Sequence, residues 1–355
     1  MTTEEIKSLL RPAAEQPVSD KPFVSLGSAL ANLAVTGHSQ RGIEAGTYVL
    51  LVGDSNAGKT WIALAVLAEA SINPAFDNYK LIYDGPENGA LMDFEKCFGK
   101  KAAARIERVE PSTTVEEFYD RTAEDIKEPC IRILDSMDAL DAEDDREQVA
   151  KEKDGREKGK EVTGSYGTAK AKANSGRLRG VVNGLAKSGS ILIIICQTRD
   201  NIGFGSMFNP KVRSGGKALK FYAHTELWLS VKETLKDKYK GKDIQIGAKT
   251  LLKVERSRHT GKKRVVEIPI YHSAGIDDIG AMVSFLVEWG HWKKTAGKID
   301  APEFDNGQRP SNEEGLCRLI DADPKGRVKL RKLTATLWNT IEKKTKVARR
   351  SPYAD

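Results

Sequence analysis

The sequence predicts an α/β fold with a mostly parallel central sheet, and three observations carry that expectation. Short apolar runs at 48–52, 80–83, 131–134 and 191–195 are bounded by Gly, Pro, Asp or Ser, as strands buried on both faces should be. The intervals between them hold helix-forming sequence, such as 61–70 and 178–186, and strands joined by helical crossovers run parallel under helices on both faces. Later strands at 225–231, 250–255 and 265–270 follow one another through shorter loops, which suits antiparallel pairing at one edge.

Taken in chain order, Thr2 and Glu5 have the spacing of a capping box ahead of Ile6, Leu9 and Leu10, which predicts a short amphipathic helix. Pro12, Pro17 and Pro22 then interrupt it. A second helix from about 23 to 41 is marked by Leu26, Leu30, Leu33 and Ala34 and followed by the turn residues Gly42 and Gly46. Residues 1–45 therefore read as an N-terminal helix and arm, and residues 46–300 as the core. Within the core, 141–161 is almost entirely charged or small, the composition of a solvated helix or loop. After Trp292 a linker holding Pro302 and Pro310 leads to the capping box Ser311-Asn312-Glu313-Glu314 and two helices ending in Lys343-Lys344-Thr345-Lys346. Residues 301–355 are thus expected to be a small helical C-terminal appendage.

Composition narrows the class. The 355 residues contain no run near the roughly 18–20 apolar residues of a membrane span, and the acidic start lacks the basic and apolar regions of a signal peptide. The expectation is a cytoplasmic protein without a membrane partner. Cys97, Cys130, Cys196 and Cys317 form no CxxC pair and the five histidines are scattered, so neither a disulfide framework nor a structural zinc site is indicated. The +7 charge, from 57 basic and 50 acidic residues, suits a polyanionic partner without demanding one.

The first motif with chemistry is Gly53-Asp54-Ser55-Asn56-Ala57-Gly58-Lys59-Thr60, which matches GxxxxGK[ST] between a predicted strand and a predicted helix. In such a loop backbone N–H groups wrap phosphates, the lysine reaches the terminal phosphates and the threonine hydroxyl ligates magnesium. ATP and Mg2+ are the expected ligands. A second magnesium-side carboxylate belongs at the end of a neighbouring strand, where Asp135 follows 131–134. Hydrolysis also needs a group that orients water, and Glu87 after the second strand is the first choice, with Asp84 its competitor.

Further along, Ile195-Cys196-Gln197-Thr198-Arg199-Asp200-Asn201-Ile202-Gly203, then Met207-Phe208-Asn209-Pro210 and Gly215-Gly216-Lys217-Ala218-Leu219-Lys220-Phe221-Tyr222-Ala223, closely resemble the RecA recombinase family. The N-terminal side, from Ala29 to Gly37 and from Arg41 to Gly46, is similar to the phage UvsX branch of that family. The similarity spans about residues 24–300. It implies a RecA-like P-loop ATPase core with an N-terminal polymerisation arm.

The resemblance also implies roles. Gln197 would sense the terminal phosphate and pass the signal to the adjoining DNA loop, which contains Arg199, Lys211 and Arg213 for phosphates and Phe204, Met207 and Phe208 as apolar wedges. Lys158 and Lys160 stand where the family has its first DNA-binding loop. Lys253 to Gly261 resembles the strand end whose basic pair, here Arg256 and Arg258, reaches a neighbour's ATP. Two apart on a strand, these arginines are expected on one face. Trp289 and Trp292 are expected to be packing residues. This sequence departs from the bacterial pattern by having arginine at both basic positions and an inserted residue in Asp84-Gly85-Pro86-Glu87.

The implied function is a DNA-dependent ATPase that forms a helical filament on single-stranded DNA and catalyses pairing and strand exchange with homologous duplex DNA. A single-strand-binding protein or a loader is a further expected partner. A hexameric DnaB-type replicative helicase shares the core and the basic pair, and a non-catalytic recombination mediator shares the phosphate site, so both stand as alternatives.

Overall fold

The computed structural model describes residues 19–87, 90, 92–146, 168–200, 211–213, 216–304 and 312–345. The helix expected near the N-terminus and most of the charged 141–161 segment lie outside them. β1 (Phe23–Val24) and β2 (Ile43–Glu44) pair antiparallel around α1 (Ala29–Thr36), so the helix is shorter than the 23–41 expected from its leucines. Ser28 caps α1 by accepting from the Ala31 amide, and Gly37 ends it at φ 84°.

The core then runs β3 (Tyr48–Gly53), α2 (Lys59–Ile72), β4 (Lys80–Asp84), α3 (Phe94–Phe98), α4 (Lys100–Arg105), β5 (Ile106–Arg108), α5 (Val115–Asp125), β6 (Cys130–Leu134), α6 (Thr168–Ser188) and β7 (Ile191–Asp200). It continues through β8 (Lys211–Arg213), α7 (Lys217–Tyr222), β9 (Thr225–Tyr239), β10 (Lys242–Ser257), β11 (Val265–Tyr271), β12 (Gly275–Ile276) and α8 (Asp278–Glu288). A small hairpin of β13 (Lys293–Thr295) and β14 (Lys298–Asp300) precedes α9 (Glu313–Ala322) and α10 (Gly326–Lys344).

In the main sheet the spatial order is β12-β11-β10-β9-β3-β7-β6-β4-β5, with β8 attached to β7. The strands from β9 to β5 are mutually parallel, and β10, β11 and β12 add antiparallel neighbours at one edge. This is the α/β architecture expected from the sequence. The carboxyl ends of β3, β7, β6 and β4 share one rim of the sheet, the rim at which open parallel sheets bind ligands.

The two-residue period of each strand divides the core. Val49, Leu51, Ile131, Ile133, Ile193 and Ile195 pack toward α1 and α2, while Leu50, Val52, Leu134, Leu192, Ile194 and Cys196 pack toward α5 and α6. Arg132 occupies an inward position of the second face. Its side chain pairs with Asp84 at 2.6 Å and with Asp125, and its guanidinium lies 5.4 Å from the Phe118 ring centroid. Asp84 also accepts from the Ser112 amide at 2.9 Å and hydroxyl at 2.6 Å, which completes a solvent-free carboxylate site.

Two regions differ from the sequence-based expectation. β9 and β10 continue far beyond 225–231 and 250–255 to form one long hairpin, whose turn residues Lys240 and Gly241 have φ of 48° and 78°. Its outer half carries Lys232, Glu233, Lys236 and Lys238, so it lacks the apolar period that marks a half-buried strand. α3, α4, α5 and β5 fill the interval before β6, and α6 begins ten residues ahead of the 178–186 stretch. The C-terminal helices pack firmly: Leu316, Ile320, Leu330 and Leu333 share an apolar cluster with Met282, Val283, Leu286 and Trp292 on or near α8. Trp292 is a packing residue, whereas Trp289 is 52% exposed. Among the described residues, no helix is long and apolar enough to cross a membrane.

Removing Arg132 leaves Asp84 charged and unpaired in the core. Arg132→Ala is expected to cost about 3–5 kcal/mol of unfolding free energy, read from urea denaturation; a loss below about 1 kcal/mol would show that the pair does not hold β4 to β6.

Candidate nucleotide site

The phosphate loop follows from the backbone of β3. Gly53 ends the strand so close to β9 that a Cβ there would stand 2.3 Å from the Leu229 carbonyl oxygen. Gly58 has φ 89° and would drive a Cβ to 2.5 Å from Ile270 Cδ1. Asn56, between them, is also left-handed at φ 61°. The chain therefore turns sharply and starts α2 at Lys59, with the amide-rich first turn facing the rim.

Lys59 Nζ donates to the carbonyl oxygens of Gly53 at 2.9 Å and Asp54 at 2.7 Å, which holds the ammonium over the loop. Burial lowers its pKa, while Asp135, Glu87 and Asp54 oppose that shift. Thr60 Oγ1 donates to Asp135 Oδ2 at 2.6 Å across the intervening strand β7. The Tyr83 hydroxyl donates to the same oxygen at 2.9 Å. Burial raises the Asp135 pKa, and the Thr60 and Tyr83 hydrogen bonds pull it back down. A threonine hydroxyl beside a carboxylate is a hard-oxygen set that suits Mg2+, which takes one or two protein ligands together with substrate phosphates and water. The residues present thus fit that ion, although no group of three or more His, Cys, Asp or Glu ligands occurs among the described residues.

The two candidate carboxylates after β4 separate clearly. Asp84 is enclosed by Ser112 and Arg132, so it has no face toward the rim. Glu87 is exposed, and its Oε1 accepts from Gln197 Nε2 at 2.9 Å and from Ser136 Oγ. The peptide between Asp135 and Ser136 is cis. The Gln197 amide nitrogen donates to Asp138 Oδ2 at 2.7 Å, and Asp138 Oδ1 lies 3.6 Å from Arg199. Gln197 therefore stands between Glu87 and the start of the loop that follows β7.

Sequence reasoning missed Tyr83, Ser136 and Asp138, whose partners come from distant strands. It also missed the walls of an adjoining cleft of about 570 Å³, which runs from Asn56, Lys59 and Trp61 to Met92, Gln245 and His272. A phosphate motif marks where a nucleotide's phosphates go, but no local spacing marks where its remainder rests.

Arg256 and Arg258 are remote from this rim. Arg256 pairs with Glu226, which pairs with Leu50, so it lies three residues, roughly 10 Å, back from Gly53 along the strand direction. Its Nη1 donates to the carbonyl oxygens of Lys220 at 2.8 Å and Phe221 at 3.0 Å at the end of α7. Arg258 does not share the strand: β10 ends at Ser257, and Arg258 sits exposed in the following turn, its amide bonded to the His224 carbonyl at 3.0 Å. The expected common face is replaced by a half-buried and a solvent-facing arginine.

Of the other expected site residues, Lys211 opens β8 and pairs with Asp54, and Arg213 closes that strand. Phe204, Met207, Phe208, Lys158 and Lys160 lie outside the described residues.

Tyr83→Phe removes one of the hydrogen bonds that favour ionised Asp135, so the Asp135 pKa should rise. A carboxylate must be ionised to hold a cation, so the acid limb of Mg2+-dependent ATP binding should move to higher pH. Titrating a fluorescent ATP analogue with Mg2+ at several pH values checks this; an unmoved limb would remove Tyr83 from the site.

A family model described as the RecA N-terminal domain matches residues 147–277, which include β7 with Gln197 and β10 with Arg256. Over longer spans the chain is 27% identical to Protein RecA of Chloroherpeton thalassium, across 89% of this chain and 81% of that protein. It is 26% identical to Protein RecA of Chlorobaculum tepidum, covering 88% and 83%, and 29% identical to Protein RecA of Nocardia farcinica, covering 79% and 74%. The phosphate loop, the Asp135 strand end and Gln197 are gathered on one rim of a mostly parallel sheet, and along most of its length the chain is similar to proteins of the RecA family.

Proposed function

We propose that the protein is an ATP-hydrolysing DNA recombinase, which assembles as a filament on single-stranded DNA and exchanges strands with homologous duplex. The observation that carries this reading is the Glu87–Gln197 hydrogen bond at the phosphate rim. It joins a carboxylate placed to orient water to the first residues of the proposed DNA loop, so nucleotide state and DNA contact have a direct physical link.

In this reading the loop amides and Lys59 bind the phosphates, and Thr60 with Asp135 holds Mg2+. When bound, the ion neutralises charge on the transferring phosphoryl group. Glu87 accepts a hydrogen bond from the attacking water, and Gln197 exchanges its bond to Glu87 for one to the terminal phosphate. Arg199, Lys211 and Arg213 then meet the DNA backbone, with Phe204, Met207 and Phe208 against the bases and Lys158 and Lys160 on a second loop. Arg256 and Arg258, at the opposite end of the sheet, serve a neighbouring protomer's nucleotide, which makes turnover depend on assembly. Base pairing reads sequence, and the protein contacts backbone and stacked bases.

Lys59→Ala is expected to lower DNA-stimulated ATP turnover at least about 100-fold and to abolish D-loop formation with it. Wild-type turnover in that variant would sink the assignment. A wild-type protein that forms rings and unwinds duplex, with no D-loop product, would favour the helicase alternative.

A further inference from the structure

Asp54 is an electrostatic oddity. It is the second residue of a loop built to receive a polyanion, yet it is a carboxylate, and it would repel phosphates unless neutralised. Its neutralisation comes from the DNA side of the molecule. Thr198 Oγ1, one residue past Gln197, donates to Asp54 Oδ1, and Lys211 Nζ, at the start of β8, donates to Asp54 Oδ2. β8 returns along β7 with Asp200 opposite Lys211 and Thr198 opposite Arg213, so both donors belong to one small antiparallel unit at the root of the loop. The Lys211 hydrogen bond, then that of Thr198, hold the Asp54 carboxyl below its ordinary range.

We propose that Asp54 is an internal counter-ion that competes with DNA phosphate for Lys211 and so limits the affinity of the DNA loop. This rests on the reading of that loop as DNA-binding. The pair suits exchange rather than permanent structure. Both side chains remain nearly half exposed, 47% for Lys211 and 42% for Asp54, and solvent-exposed pairs contribute little. A backbone phosphate can therefore displace the carboxylate. When it does, Asp54 keeps only the Thr198 hydroxyl and its charge again faces the nucleotide phosphates. By reciprocity, this contact makes DNA and nucleotide oppose each other, a local brake on whatever positive coupling runs through Gln197.

Binding of a fluorescent oligothymidylate to the full-length, nucleotide-free protein, measured by anisotropy over a range of KCl concentrations, tests the exchange. Asp54→Asn keeps the acceptor for Thr198 but frees Lys211. It should bind about 2–5-fold tighter at low salt, the range expected for one exposed pair. The log affinity against log salt should steepen by about 0.7, one extra phosphate contact on a single strand. Lys211→Gln should weaken binding, and Asp54→Asn added to Lys211→Gln should change nothing further. An unchanged slope in Asp54→Asn, or an equal gain in the Lys211→Gln background, would overturn the counter-ion role while leaving the DNA loop standing. Absence of oligothymidylate binding by every form, with or without ATP, would overturn the DNA-binding reading and the counter-ion role together.

Discussion

The site depends on one hydrogen bond that spans a strand. Thr60 begins the helix after β3 and Asp135 ends β6, and β7 lies between them, so their contact at 2.6 Å requires all three strands to be in register at the same rim. The apolar faces of β3, β7 and β6 enforce that register, because a one-residue slip would turn Leu50, Val52 and Leu192 toward the wrong helices. Once the register holds, Gln197 is necessarily caught between the phosphate loop and the Asp135 strand, and β4, next in order, delivers Glu87 to it. The sheet thus sets a row of functional groups whose spacing none of the connecting loops needs to control.

Much of this row was legible in the sequence, and the reasons are local. The phosphate loop is a contiguous motif with its strand and helix attached, and each parallel strand is a continuous apolar run. The long β9–β10 hairpin was not legible, because its outer residues are solvated on both faces and carry no period. Arg132 hid for the opposite reason: it lies within an apolar strand, and only the fold brings Asp84, Asp125 and Ser112 to it. That same enclosure sets Asp84 apart from Glu87, which sequence spacing alone did not. Two carboxylates three residues apart differ in environment, one surrounded and the other open to solvent.

The carboxylates around the rim form a gradient from fixed to exchangeable. Asp84, fully buried, is held by a guanidinium and two Ser112 donors, and freeing it would cost too much for any switch. Asp135, 3% exposed, is held by two hydroxyls, which can keep donating when a cation approaches the carboxylate's other lone pairs. Glu87 and Asp54 are reached by solvent and held by an amide, hydroxyls or a lysine, partners that water or phosphate can replace at little cost. Burial and partner type together thus set how readily each carboxylate can exchange its partner.

The same logic gives the basic excess a direction. Acidic and phosphate-binding groups collect at the carboxyl rim, while Arg256 and Arg258 sit at the far end of an antiparallel strand from the phosphate loop of their own chain. A contact that brings one protomer's arginines to another's phosphate loop joins two different surfaces, and such a heterologous contact propagates into a ring or an open helix instead of stopping at a dimer. Arg256 is already anchored on the α7 carbonyls, so its reach is short and, in the proposed assembly, the neighbour's rim would have to come to it. α7 in turn follows directly from the proposed DNA loop, and Arg256 is therefore tied to the element that adjoins that loop.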